Sequence, residues 1–283
     1  MELNKADRFF KEAMIEVLNN GCWDVNPRTV WSDGTPAHCK FITHFMTSYN
    51  LDEGEYPFMT LRPMAWKTGI KETLWIFQDQ SNSLDLLENK YNVKYWADWE
   101  VRNSRTIGQV YGHTVKRYDL INNLINGIKT NPYGRRHICS LWQEEEFIED
   151  KDALKPCCFQ TIWTVRGDFL DVLLVQRSSD HATAGSAINE IQYTALLLMV
   201  AKATGYKPGK FSHIIANLHM YDLHEEQVRE MLKREPIICQ PKLILNTDKT
   251  NFYDFTIDDF KLEGYPIEEI KKKNPQLKFP LAI

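Results

Sequence analysis

Residues 159–177 read FQTIWTVRGDFLDVLLVQR. Two runs rich in β-branched and aromatic residues, FQTIWTV and FLDVLLVQR, flank Arg166-Gly167-Asp168. Such runs fit a pleated surface, and a short link containing glycine predicts a β-hairpin. Immediately upstream, LKPCC places Cys157 beside Cys158. Neighbouring strand side chains point to opposite faces, so only one of the two thiols can face a given pocket. Free cysteine is common in protein cores, and the pair alone does not establish a nucleophile.

Around this hairpin the pattern is largely helical. A long helix is expected over about residues 189–202, stopping before Gly205, and another from about His224 to Arg234. Residues 4–19 form an amphipathic helix, with Phe9, Met14, Ile15 and Val17 among its apolar positions. WKTGIKETLWIF (66–77) is a second helical segment weakened by Gly69, and YDLINNLINGIKTN (118–131) is a third, ended near Pro132. NPRTVWSDGTPAHCK (26–40) reads as a loop or hairpin turning at Asp33-Gly34. DWEVRNSRTIGQVYGH (98–113) is polar and irregular, suited to lining a site. NFYDFTIDDFKLEGY (251–265) carries one or two short strands. No repeat, low-complexity stretch or linker divides the chain. The expected architecture is a single α+β domain over residues 1–283.

Composition narrows the function classes. The 283 residues are 43% hydrophobic and 25% charged, ordinary for a soluble globular protein. A net charge of −4 supplies no global basic field, so DNA is not an expected partner. The N-terminus lacks a signal peptide's apolar run, and YTALLLMV (193–200) is too short to span a bilayer. Six cysteines without a CxxC pair indicate reduced thiols and a cytoplasmic setting.

Several polar residues invite a ligand. Arg28, Arg135, Arg136, Arg177 and Ser178 together would suit a phosphomonoester, because guanidinium forks bind phosphate through paired hydrogen bonds. Most arginines are merely solvated or paired, and no Walker loop or dinucleotide fingerprint accompanies these. His219 and Tyr221, at i and i+2, share a face if the segment is extended. They could hold a sugar hydroxyl or stabilise a buried turn. His224 lacks an HExxH-type context, so no metal is expected.

Twelve short motifs in order give these residues a common meaning. RTVWSDGTPAH, IKETLWIF, YWADW, GQVYG, RRHICSLW, LKPCCFQTIW, QRSSD, INEIQY, ATGYKPGKFSH, LHMYDLH, FTIDDFKLEGY and the terminal FPLAI span nearly the whole chain. The ordered set resembles thymidylate synthases of the ThyA type. Sister enzymes that hydroxymethylate pyrimidine nucleotides share the fold. The resemblance implies a homodimer, each subunit α+β with a large mixed sheet at the subunit contact. It implies dUMP and 5,10-methylenetetrahydrofolate as substrates, with dTMP and dihydrofolate as products.

By the same resemblance Cys157 is the nucleophile that attacks C6 of the uracil ring, and Cys158 is a packing neighbour. Arg28, Arg177 and Ser178 bind the phosphate from one subunit, and Arg135 and Arg136 reach it from the partner. Asn189 reads the uracil edge; a helix cap is its alternative role. His219 and Tyr221 hold the deoxyribose 3′-hydroxyl. Glu72 and Tyr111 serve proton transfer at C5. Asp180 bonds the pterin, Trp96, Trp99 and Gly185 belong with the cofactor, and Arg62 stands where the family often has a lysine near the folate tail. Ile283 closes over the ligands.

The chain departs from the family pattern in SSDHATAGSAINEIQY (178–193). The connection to Gly185 is one residue longer, and Ala187-Ile188 replace Pro-Phe. Asn217 stands for an aspartate, and Asp222-Leu223 replace a pair ending in asparagine. Two other functions compete with the synthase: a dUMP hydroxymethylase, in which water attacks the exocyclic methylene and tetrahydrofolate survives, and a non-catalytic homologue binding nucleotide, folate or RNA.

Overall fold

The computed structural model describes residues 4–151 and 153–283. Its strands in chain order are β1 (Cys22–Trp23), β2 (Cys39–Asn50), β3 (Ile138–Ser140), β4 (Cys158–Arg166), β5 (Phe169–Gln176), β6 (Ser179–Asp180), β7 (Lys207–Tyr221), β8 (Lys242–Leu245) and β9 (Phe260–Glu263). The helices are α1 (Lys5–Asn20), α2 (Trp66–Thr73), α3 (Leu84–Tyr91), α4 (Gly112–Arg117), α5 (Leu120–Thr130), α6 (Glu144–Glu149), α7 (Glu190–Thr204), α8 (Glu225–Lys233) and α9 (Ile267–Lys273). Among the described residues no helix is long and apolar enough to cross a membrane.

The main sheet runs β1-β2-β7-β5-β4-β3, with β6 paired to β7. β7 is parallel to β5 and β6, and the remaining pairs are antiparallel, so the sheet is mixed. The expected hairpin is β4–β5. Its loop is Gly167-Asp168, with Arg166 opposite Phe169 as the last pair. Gly167 supplies the positive φ, +61°, that a two-residue loop needs at its first position.

One face of the hairpin is dry. Leu170, Val172 and Leu174 are buried beneath α7, and each such side chain contributes about 1.5–3 kcal/mol. Helix α7 is buried around almost its whole circumference, as expected for a helix that is apolar on every side. It ends at Gly205 in the left-handed conformation. Helix α1 begins where the Asn4 side chain accepts the Asp7 N–H.

The two longest strands carry a weaker sequence signal. Pro208 and Gly209 interrupt the start of β7, but β5 pairs with it there, which keeps the chain extended. The paired residues of β2 are mostly half-buried or exposed, so its alternation is shallow.

That shallow face is itself informative. Met46, Ile214 and Val175 lie side by side across β2, β7 and β5. All three are partly exposed, Met46 at 52%. A contiguous apolar row on a sheet face is a candidate subunit interface. Ile214→Asp is therefore expected to shift the protein to a single-chain species in sedimentation velocity; an unchanged assembly would place the interface elsewhere.

Candidate active site

Cys157 stands one residue before β4, at the edge of a cleft enclosing about 1090 Å³. Arg177 fixes its position. The guanidinium donates from Nε to Pro156 O (3.0 Å) and from Nη2 to Lys155 O (2.7 Å), and the Arg177 N–H donates to Cys157 O (2.9 Å). Nη2 also lies 3.6 Å from Cys157 Sγ. A register shift between Cys158 and Gln160 bulges β4 directly after the cysteine, the kind of irregularity that re-aims a side chain. Burial pushes the Cys157 thiol up, while the charges of Arg177 and then Arg28 pull it down. Cys158 is buried, and its thiol is pushed much further up, first by burial and then by the neighbouring Cys157. Arg177 also acts on Cys158, but only Cys157 has Arg28 as well and no neighbouring charge that opposes a thiolate.

Behind the cysteine lies a closed recess lined by Glu72, Trp96, Tyr111, Cys157, Cys158, Asn189 and Gln192, among others. Glu72 is 2% exposed. It accepts hydrogen bonds from the Tyr95 hydroxyl, from Trp96 Nε1 (2.6 Å) and from Gln192 Nε2. Burial nevertheless dominates and raises its carboxyl from 4.5 to about 8. The Tyr111 hydroxyl accepts the Cys157 N–H at 3.2 Å. Tyr111 has φ +52°, a strained backbone for a non-glycine residue, and its hydroxyl meets the backbone of Cys157.

Asn189 ends a π-helical stretch, His181–Asn189, that leads into α7. A π turn takes up an extra residue within a helix and recurs at functional sites; it is the form taken here by the longer connection. Gly185 lies inside it, turned toward Ser179 and His181 rather than into the cleft. A Cβ there would collide with the Ser179 hydroxyl and come within 2.8 Å of His181 Nδ1. The role of Gly185 is close packing. Gly69 is different: a Cβ on it would make only ordinary contacts, the nearest 3.4 Å from the Ile188 carbonyl.

Asp180, at the end of β6, also lines the cleft. Its Oδ2 accepts from the Thr183 hydroxyl, and His224 Nδ1 lies 3.7 Å from Oδ1. Burial alone would raise this carboxyl, but His224, with help from His219 and Thr183, holds it below its usual range. Oδ1 is buried without a hydrogen-bond partner and faces the equally buried His224 Nδ1. His219 Nδ1 lies 2.9 Å from Asn217 Oδ1. Burial lowers the His219 pKa, so the ring is neutral with Nδ1 donating and Nε2 left as an acceptor. Asn217, where the family has aspartate, thereby holds the tautomer. Asp222 anchors the loop of residues 26–40, accepting Trp31 Nε1 at 3.1 Å.

Of the expected site residues, Arg28, Glu72, Trp96, Trp99, Tyr111, Cys157, Arg177, Ser178, Asp180, Asn189, His219, Tyr221 and Ile283 meet in this cleft. Ile283 pairs through its backbone with Val30, at 2.8 and 3.0 Å, and His224 Nε2 lies 2.8 Å from Pro280 O. The tail is thereby seated over the opening. Arg135 and Arg136 are not in the cleft; both are exposed in the link between α5 and β3. Arg62 needs correction. It is 6% exposed, its Nη2 donates to Ala182 O (3.0 Å) and Thr183 O (2.8 Å), and its guanidinium lies over Phe279. Its hydrogen bonds hold the π turn and not a folate tail.

Sequence reasoning missed Tyr95 and Gln192. Both signals were present: Tyr95 opens the aromatic YWADW run, and Gln192 follows Asn189 at helical i+3 spacing.

Comparison with known proteins agrees with this geometry. The sequence model of the family Thymidylate synthase matches residues 8–282. The thymidylate synthase of Streptococcus pneumoniae (strain 70585) is 49% identical over 286 residues, covering 99% of this chain and all of the relative. That of Streptococcus thermophilus is 48% identical over 293 residues, again covering 99% of this chain and all of the relative. The solved structure of thermostable thymidylate synthase A from Bacillus subtilis superposes with a TM-score of 0.86 at 33% identity, covering 98% of this chain and 99% of the other.

The state of Glu72 has a measurable consequence. Its folded pKa, about 8, lies above the ordinary 4.5, so between these values the native protein keeps a proton that the unfolded chain releases. Stability contributed by this group is full at low pH and is lost as pH rises through that window. Melting temperatures of Glu72→Gln measured against pH should fall less steeply than those of the native protein between pH ~5 and ~8. Parallel curves would contradict the raised pKa.

Proposed function

We infer the roles of individual residues from one premise: the chain belongs to the thymidylate synthase family and converts dUMP to dTMP with methylenetetrahydrofolate. The observation that carries the residue assignment is the meeting of Cys157, Arg177, Asn189 and the buried Glu72 around one cleft.

Arg28, Arg177 and Ser178 hold the phosphate of dUMP. The His219 acceptor nitrogen and the Tyr221 hydroxyl take the 3′-hydroxyl. Asn189 has one lone pair and one N–H committed inward, to Gln176 Nε2 (3.2 Å) and Gln192 Oε1 (3.0 Å). An amide has two of each, so one acceptor and one donor remain for uracil N3–H and O4. Cytosine presents the reverse pattern.

The Cys157 thiolate adds to C6, forming a C–S bond and moving the ring electrons onto C5 and O4. When bound, 5,10-methylenetetrahydrofolate supplies the one-carbon unit and the hydride and leaves as dihydrofolate. Glu72 and Tyr111, at the recess behind C5, take up the C5 proton through ordered water; a carboxyl with a pKa of about 8 can both accept and return a proton near neutrality. Cys157 then departs as the C5–C6 double bond re-forms. Asp180 accepts from the pterin, Trp99 walls the cofactor, and Trp96 acts mainly through its bond to Glu72. The Leu281–Ile283 tail keeps bulk water from the reacting carbon.

The family and fold make the protein a homodimer. The exposed Arg135 and Arg136 reach the partner's phosphate site, completing it across the two-fold axis. Complementation tests this directly. Cys157→Ser and the double variant Arg135→Ala/Arg136→Ala should each be inactive, whereas a refolded mixture should regain activity, because each mixed dimer has one intact site. Failure of the mixture to recover would show that these arginines act within their own subunit.

A further inference from the structure

His213 and Glu190 are among the buried polar residues without a role in this chemistry. His213 is 0% exposed and Glu190 1% exposed, and neither lines the cleft. Glu190 accepts from Thr47 Oγ1 (2.6 Å) and Tyr49 OH (2.9 Å), and His213 Nδ1 lies 3.4 Å from its Oε1. His213 Nε2 lies 2.8 Å from Gln176 Oε1. Gln176 Nε2 donates to Ser178 O (2.9 Å) and to Asn189 Oδ1 (3.2 Å). Asn189 Nδ2 donates to Gln192 Oε1, and Gln192 Nε2 to Glu72. A single line of donors thus runs from the sheet to the catalytic carboxylate.

The direction of this line decides what the cleft reads. Turning the Asn189 amide over would exchange its donor and acceptor, converting a uracil reader into a cytosine reader. Its direction is inherited from Gln176, which must donate to the Ser178 carbonyl and to Asn189 Oδ1. Gln176 Oε1 then needs a donor, and His213 supplies it only with hydrogen on Nε2. One shared proton between His213 Nδ1 and Glu190 satisfies that arrangement, whichever group holds it. If the Nε2 hydrogen were lost, two acceptors would face each other across 2.8 Å. The other end of the line cannot do this work, because Glu72 exchanges its proton during turnover and so can both donate and accept. A buried ionisable pair of this kind is also weak evidence for stability, since apolar replacements are often as stable.

We propose that His213 and Glu190 are positioning residues that set base specificity, locking the Asn189 amide through Gln176 in the orientation that accepts uracil and rejects cytosine. The proposal rests on Asn189 reading the uracil edge.

The test is the ratio of dCMP to dUMP dissociation constants, measured by calorimetry on the dimeric protein. A ratio taken on one preparation does not depend on the fraction folded. His213→Phe keeps a ring but removes both nitrogens; Glu190→Leu frees the tautomer; Glu190→Gln can still donate to Nδ1. The ratio is expected to fall roughly tenfold or more in the first two, the scale of one mis-set buried hydrogen bond, and to stay near native in Glu190→Gln. Asn189→Asp serves as the control. If it shifts the ratio while His213→Phe does not, the proposal is overturned and the uracil reading stands. If Asn189→Asp leaves the ratio unmoved, the uracil reading fails and the proposal with it. Should His213→Phe not fold, Glu190→Leu set against Glu190→Gln carries the same two outcomes.

Discussion

A carboxyl group removed from water is the constraint on which the site depends. Glu72 sits at 2% exposure on α2, and three donors converge on it from Tyr95, Trp96 and Gln192. Each lost bond would cost about 1–3 kcal/mol, and an unpaired buried ion considerably more. The segment of residues 95–99 and helix α7 are therefore held to α2 by polar bonds as well as by packing. Through Gln192 the same bonds reach Asn189, so the proposed proton-transfer group and the proposed reader of the base share one network.

The nucleophile is held by a different device. Arg177 bonds the backbone of Lys155, Pro156 and Cys157 while its charge lies beside the sulfur. Position and thiolate stabilisation thus come from one side chain, which sits at the end of the most strongly patterned strand. A bound phosphate would add a third task to the same residue. The cysteine precedes the strand, where the carbonyls of Lys155 and Pro156 are free to meet the guanidinium and that of Cys157 meets the Arg177 backbone N–H.

Much of this was legible in the sequence. The hairpin and the N-terminal helix carry a clear pattern because each buries a well-defined face, and α7 is readable instead from its continuous apolar run ended at Gly205. Strands β2 and β7 were harder, since the residues of β2 are only partly buried in one chain and Pro208-Gly209 obscure the start of β7. Single motif residues were readable as site members, but their connections were not. Nothing local distinguishes Gln192 as a bridge or Arg62 as the support of a π turn, because both roles are defined by carbonyls and carboxylates far away in sequence. The arginine pair Arg135 and Arg136 is a further case, for its proposed ligand lies in another subunit.

The altered lip of the cleft bears on the reaction's outcome. The π turn absorbs the longer connection while Asp180 and Asn189 both still line the cleft, and the tail is bonded to Val30 across the opening. In the proposed mechanism this arrangement keeps water from the one-carbon unit even though Ile188 replaces an aromatic ring. The decisive measurement is a dual readout with dUMP and methylenetetrahydrofolate, following the absorbance rise of dihydrofolate and the mass of the product nucleotide. A rise in step with a methylated product is the expected result. A hydroxymethylated product with no rise would show that water reaches the intermediate and that the cleft does not close as described.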